Sequence, residues 1–148
     1  MAAANAQEAS SQFYAALNRM ANGDASTLAD IWSHGADVTT MHPIGGMEVG
    51  WDAVKSSWEQ VAAIASDGKI TLKDQRIRVV GDLAYEVGIE QGKFKLGGHQ
   101  ASVEHRVTNI YERQGGAWKI VHHHTDPSPA MLDILGKLKA PAGKGKKK

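Results

Sequence analysis

The spacing of apolar residues changes once along this chain, and the change limits the folds that the chain can adopt. Before about residue 70, apolar side chains recur every three or four positions, and after it they alternate with polar ones. The first pattern is typical of amphipathic helices and the second of strands with one buried face. Helices followed by a run of strands predict an α+β domain, with the helices packed on a curved, mostly antiparallel sheet.

Three helices are predicted in the first part of the chain, the second of them short. A strand that Pro43 closes lies between the second and the third helix. Asn22-Gly23 ends the first helix and Gly68 the third. The apolar positions that define the helices are Phe13, Ala16, Leu17 and Met20 in the first, Leu28, Ile31 and Trp32 in the second, and Trp51, Val54, Trp58, Val61 and Ala65 in the third.

Four antiparallel strands are predicted in the second part, because three glycine-containing pairs interrupt the alternating pattern as hairpin turns do. The interruptions are Gly81-Asp82, Gly97-Gly98 and Gly115-Gly116, and the predicted strands are 70–80, 83–96, 102–113 and 117–126.

Length and composition predict one domain. A chain of 148 residues with 42% hydrophobic and 22% charged residues can bury one core. We expect a flexible N-terminus at 1–5, a folded domain at 6–136 and a disordered basic tail at 137–148. The absence of cysteine excludes a disulfide framework, a thiol nucleophile and cysteine-bound zinc. No signal peptide or membrane span is evident, so a cytoplasmic protein with no membrane partner is expected.

Charge is unevenly distributed. Six of the 17 basic residues lie in 137–148, which leaves 11 basic against 16 acidic residues elsewhere, a net charge of −5 for the rest of the chain. The basic tail has no aromatic residues between its lysines on which bases could stack. Nucleic acid is therefore not an expected partner.

Three consecutive histidines follow the apolar start of the last predicted strand. Because neighbouring strand residues point to opposite faces, His122 and His124 share one face while His123 shares the other with Val121 and Thr125. Three ligands for one metal ion cannot arise in this way, and no second histidine or carboxylate cluster offers help. We predict no metal site.

The sequence resembles the nuclear transport factor 2-like superfamily over roughly residues 6–130. The resemblance lies in FYAALN, ADVTTMHPIGGMEVGWDAV and HRVTNIYERQGGAWKIVHHHTDPSP. This superfamily includes SnoaL-like polyketide cyclases, ketosteroid isomerases, scytalone dehydratase and the association (hub) domain of a calcium/calmodulin-dependent kinase. The resemblance implies a cone of curved sheet, wrapped by three helices, that encloses a cavity.

The resemblance also implies which face of the last strand looks into the cavity. That face would carry Val121, His123 and Thr125, so His123 is a candidate for catalysis or ligand contact, with a satisfied core histidine as the alternative. The opposite face, where such proteins commonly form homodimers, would carry Trp118, Ile120, His122 and His124.

His42 stands directly before Pro43, where the similar ketosteroid isomerase pattern has the aspartate that moves a proton. Imidazole, with an unperturbed pKa of about 6.5, can do the same work, although a capping role at a strand end is equally compatible with the sequence. The isomerase tyrosine aligns with Phe13, with Tyr14 one residue away, and its partner aspartate falls near Thr108. These departures argue against steroid isomerase activity itself.

Arg106 is the third catalytic candidate, because the hub pattern places an arginine of its cavity at this position. Strand alternation would put Thr108 beside it, and Glu86 or Glu90 or an anionic ligand would be its partner. The alternative is a structural salt bridge. A shift of one residue in the register would bring His105 into the cavity instead.

Three functions fit these patterns. The first is a SnoaL-like isomerase, lyase or cyclase that moves protons on a carbonyl compound without a cofactor. His42 would be its base, His123 a relay, and Arg106 or Thr108 the group that stabilises the oxyanion. The second is a non-catalytic module that binds a small ligand, and the third is a homo-oligomerisation module. The expected substrate contacts are Phe13, Tyr14, Trp32, Trp58, Glu90, Thr108 and Thr125.

Overall fold

Four helices and a six-stranded sheet make up the computed structural model, which describes residues 2–139. The elements are α1 Ala6–Met20, α2 Leu28–Ile31, β1 Thr39–His42, β2 Gly45–Val49, α3 Trp51–Ala62, β3 Ala65–Val80, β4 Leu83–Leu96, β5 His99–Gln114, β6 Ala117–Thr125 and α4 Pro129–Lys139.

The sheet has the order β2-β1-β6-β5-β4-β3 and is not closed. Neighbouring strands are antiparallel except β1 and β6, which run parallel. The hairpins from β3 to β6 turn at the predicted glycine pairs. The predicted α+β class, with a mostly antiparallel sheet, is confirmed.

The number and the position of the helices differ from the prediction. The third helix ends at Ala62 rather than at Gly68, because β3 already begins at Ala65. The short strand β2 and the C-terminal helix α4 were not predicted. Met131 and Ile134 of α4 are buried, and α4 packs across β4 and β5. Their spacing of three residues is the sequence signal for this helix.

Both ends of the described chain make contacts with the fold. Ala3 is buried, and its carbonyl accepts a hydrogen bond from the backbone N–H of Trp118. Residues 137–139 belong to α4, and the rest of the predicted disordered tail lies outside the described residues. Within the described part of the chain, no helix is long and apolar enough to span a membrane.

Two asparagines attach α1 to the edge of the sheet. The Asn18 side chain donates to the carbonyl of Ile70 and accepts from its N–H, at 2.8 and 2.7 Å. Asn22, one turn later, makes the same pair of bonds with Gly68, at 2.9 and 3.1 Å. These amides satisfy backbone groups that an edge strand would leave unpaired, and they fix α1 over the inner face of the sheet.

A β-bulge in β6 changes which of its residues face the core. Ile110 pairs with His122 and Tyr111 pairs with Ile120, so Val121 is an extra residue without a partner in β5. Trp118 and Ile120 are therefore buried on the same side as His123. The prediction that Trp118 and Ile120 lie on the outer face is wrong, because simple alternation does not account for a bulge.

Gly92 lets β3 approach β4 closely at a position between two residues of the inner face of β4, Glu90 and Phe94. Its φ is +155°, and a Cβ atom added there would lie 2.0 Å from the carbonyl oxygen of Lys69. No side chain fits this position without displacement of the β3 backbone.

Gly92→Ala should therefore lower the free energy of unfolding by about 2–3 kcal/mol, from backbone strain and the clash with β3. Gly98→Ala is the matched control, since Gly98 also has a positive φ, +83°, but an added Cβ meets no atom within 4 Å. The control should lose about 1 kcal/mol. Urea unfolding of both variants measures the difference, and equal losses would contradict the close approach.

Candidate functional site

A narrow pocket lies between the inner face of the sheet and the helices. Its volume is about 40 Å³, room for about three water molecules. This is far below the roughly 300–1,000 Å³ of pockets for drug-sized ligands. Its main apolar lining residues are Leu17, Met20, Trp58, Ile70, Phe94 and Met131, and its polar ones are His42, Glu90, His105 and His123.

His42 lies at the end of β1, and its ring is tied to α3. Its Nε2 is 2.8 Å from the Ser57 hydroxyl oxygen, and that hydroxyl donates its single proton to the carbonyl of Val54 at 2.7 Å. Nε2 must therefore donate, which leaves Nδ1 as an unprotonated nitrogen. Burial lowers the pKa of His42 to about 3, and the nearby His123 adds to this effect. The ring is neutral at physiological pH.

His123 is fully enclosed, and Asn109 determines its tautomer. The Asn109 amide nitrogen donates to the Tyr14 hydroxyl and to Glu86, each at 3.0 Å. Its oxygen lies 2.7 Å from His123 Nδ1, so Nδ1 carries the proton and Nε2 is free to act as an acceptor. Burial lowers the pKa of His123 to about 4, an effect that Glu90 only partly opposes.

His105 and Glu90 form a buried pair next to these rings. Glu90 accepts from His105 Nε2 and from the Tyr14 hydroxyl, both at 2.8 Å. Burial alone would raise the pKa of Glu90, but the hydrogen bond from His105 and the neighbouring imidazoles outweigh it and lower this pKa below its usual value. His105 Nδ1 is buried and has no hydrogen-bond partner in the structure.

A second buried carboxylate, Glu86, lies behind Asn109 and does not line the pocket. Four side chains from three elements donate hydrogen bonds to it. They are Ser10, Gln75, Asn109 and Tyr111. Because Asn109 must donate to Glu86, its carbonyl oxygen is directed to His123. Glu86 therefore positions His123 through Asn109.

Arg106 lies outside the pocket, so the prediction that it faces the cavity beside Glu86 or Glu90 is wrong. Its side chain is 82% exposed, and its Nε and Nη2 donate to the two carboxylate oxygens of Asp126, at 2.7 and 3.2 Å. Thr108 lies on the same outer side, half-buried.

The sequence contained a signal for this register that the resemblance to the hub pattern obscured. Ala101, Val103 and Val107 alternate with polar residues and are buried on the inner face of β5. His105 lies between Val103 and Val107 in this alternation, so the pattern alone favours His105 over Arg106 as the inward residue.

The other predicted site residues are buried around the pocket or line it. Trp58 and Glu90 line it. Phe13 packs on His123 with ring centroids 5.2 Å apart, and Tyr14 bonds Glu90. Trp32 and Thr125 are buried outside the lining.

Sequence reasoning assigned no role to Asn109 or Ser57, whose effect depends on contacts between distant strands and helices. No group of three or more histidine, cysteine or acidic side chains in residues 2–139 could hold a metal ion.

The burial of His123 makes stability depend on pH in a direction that can be tested. In the unfolded chain this ring takes up a proton near pH 6.5, but in the folded protein only near pH 4. The unfolded state therefore binds more protons as the pH falls below 6.5. Between pH 6.5 and pH 4 this group lowers the free energy of unfolding by about 1.4 kcal/mol for each pH unit.

His123→Leu should remove this contribution, so that its free energy of unfolding falls about 2 kcal/mol less than that of the wild type between pH 6.5 and pH 5. Urea unfolding at several pH values measures the slopes. His124→Leu is the matched control, since that ring is exposed on the same strand, and it should keep the wild-type slope. A wild-type slope in His123→Leu would show that His123 is not held neutral by burial.

The family model of SnoaL-like domains matches residues 7–130. A proposed dehydratase of the NTF2-like family from Streptomyces avermitilis is 28% identical, with a TM-score of 0.72 over 82% of this chain and 92% of that one.

Two further solved structures share the fold. A proposed calcium/calmodulin-dependent protein kinase type II association domain from Thiobacillus denitrificans is 22% identical, with a TM-score of 0.72 over 86% of this chain and 98% of that one. A proposed ketosteroid isomerase from Shewanella frigidimarina is 22% identical, with a TM-score of 0.65 over 80% and 91%. No protein with a curated description matches the sequence.

Proposed function

Because this chain belongs to the family of SnoaL-like domains, we propose that it is a small-molecule enzyme that moves protons on a carbonyl compound. One observation carries the proposal. Three imidazoles line one pocket, and each has one ring nitrogen hydrogen-bonded to a protein group while its other nitrogen makes no hydrogen bond to residues 2–139. A core that served stability alone would not concentrate titratable groups in this way.

His105 is the best placed of the three to act as the general base. A base must become positively charged, and the buried Glu90 carboxylate at 2.8 Å stabilises the imidazolium that forms. His42 and His123 lack such a bonded carboxylate, and their pKa values of about 3 and about 4 make them weak bases near neutral pH. They are better suited to orient the substrate or to relay a proton.

The reaction requires a group that stabilises the oxygen of the enolate. Trp58 lines the pocket, and its indole N–H is buried without a hydrogen-bond partner in the described part of the chain. It therefore replaces Arg106 and Thr108, which lie on the outer side of the sheet, as the candidate donor to the oxyanion. His105 would take the proton from the carbon next to the carbonyl and return it to another atom of the same substrate.

Exchange of α-protons for deuterium tests this function. In D₂O, the protein should accelerate exchange at the α-carbons of a small ketone such as cyclopentanone, followed by proton NMR. His105→Gln should lower the protein-catalysed rate by about 100-fold or more. His124→Gln, an exposed histidine outside the pocket, is the control and should retain the rate.

Two results would contradict the assignment. A wild-type rate in His105→Gln would exclude His105 as the base. Saturable binding of ketones without any exchange would favour a non-catalytic binding module instead.

Homodimerisation is a second candidate function, and the pattern of β4 favours it. Glu86 and Glu90 of β4 face the core, whereas the apolar Tyr85, Val87 and Ile89 point to the outer face. Tyr85 is 45% exposed. A strand with its carboxylates inside and its apolar residues outside indicates that a second apolar surface covers the outer face. We propose that a second copy of the chain provides that surface.

Sedimentation equilibrium tests the dimer. The wild-type protein should be dimeric at micromolar concentration, and Tyr85→Lys should shift it toward the monomer by placing a charge in the interface. Met47→Lys is the matched control, because Met47 is 57% exposed at the other end of the sheet, on β2. A monomeric wild type, or equal dissociation of both variants, would contradict the outer face as the interface.

A further inference from the structure

The described lining of the pocket carries a carboxylate but no permanently charged cation. Among the described residues that line it there is no lysine or arginine, and Glu90 is its one carboxylate. A second buried carboxylate, Glu86, lies directly behind Asn109. Arg106, the cation expected here from the sequence, is bonded to Asp126 on the outer side of the sheet.

The imidazoles of His42 and His123 do not offset this negative charge. Burial holds His42 and His123 in the neutral form. His105 is the one remaining candidate cation of the lining, and it is already bonded to Glu90. An anionic ligand would therefore be buried beside a carboxylate without a cation of its own, which is costly.

The free polar atoms of the pocket are mainly acceptors of hydrogen bonds. His42 donates through Nε2 and His123 through Nδ1, so the remaining nitrogen of each ring carries a lone pair. A ligand that fits must supply hydrogen-bond donors to these nitrogens, because buried polar groups are costly when they stay unpaired. A hydroxyl group is the simplest uncharged donor.

We propose that the pocket selects a small, uncharged compound that carries a hydroxyl group, and that it discriminates against carboxylates and phosphates. This substrate class rests on the proposed proton transfer in the same pocket. The volume of about 40 Å³ limits the part of the ligand that enters to a few non-hydrogen atoms.

Two pairs of probes of matched shape test the class by saturation-transfer NMR with the full chain. Lactamide and lactate differ mainly in charge, and lactamide should bind at least about 10-fold more tightly. Hydroxyacetone and butanone differ in a hydroxyl against a methyl group, and hydroxyacetone should bind about 3-fold or more tightly. Lactate binding as tightly as lactamide, or binding of neither uncharged hydroxyl compound, would overturn the proposal.

Variants identify the source of the selectivity. Glu90→Gln should reduce the preference for lactamide over lactate to about 3-fold or less, because it removes the carboxylate from the pocket. Glu104→Gln, an exposed position on the outer face of β5, should keep the wild-type preference. An unchanged preference in a folded Glu90→Gln variant would overturn the electrostatic origin, and the wild-type comparison decides the proposal if that variant does not fold.

The result is separable from the proton-transfer function. Lactamide preference without any α-proton exchange would leave the ligand class standing and reject the reaction. Exchange of ketone protons together with tight binding of lactate would support the reaction and reject the ligand class.

Discussion

The buried carboxylate of Glu86 is the constraint on which the rest of this structure depends. Removing a carboxylate from water is costly unless hydrogen bonds replace the water, and here side chains from α1, β3 and β5 donate four of them. These bonds are satisfied together only when α1 and the three neighbouring strands β3, β4 and β5 stand in one relative position. Any other position of α1 on the sheet would leave the buried carboxylate without some of these hydrogen bonds and would therefore be less stable.

The pocket inherits its geometry from that arrangement. Asn109 donates to Glu86 and to Tyr14, so its oxygen must accept from His123. Tyr14 in turn donates to Glu90, which holds His105. Each hydrogen bond fixes whether the next group donates or accepts. The series ends at imidazole nitrogens that make no hydrogen bond to the described residues. Such preorganisation is what acid–base chemistry needs, since the reacting nitrogens are fixed before a ligand arrives.

Particular residues show how far sequence reasoning reaches into the site. His42 was selected from the resemblance to the ketosteroid isomerase pattern, and His123 from strand alternation together with the face that the resemblance turns inward; both line the pocket. Arg106 was selected from a resemblance to another domain, and it faces solvent because the apolar side of β5 is the side of His105. Trp118 and Ile120 were placed outside because the bulge at Val121 is not visible in a period of two. A resemblance transfers a fold more safely than it transfers the orientation of one side chain.

The sequence by itself determined the α+β class, the hairpins from β3 to β6 and the family, because these follow from local periodicity, from glycine turns and from motifs that neighbouring residues encode. Tertiary structure alone decided the pairing of His105 with Glu90, the tautomers of His42 and His123, and the covering of the sheet by α4. Each of these depends on contacts between residues far apart in the chain, where one added residue in a strand reverses which side chains meet.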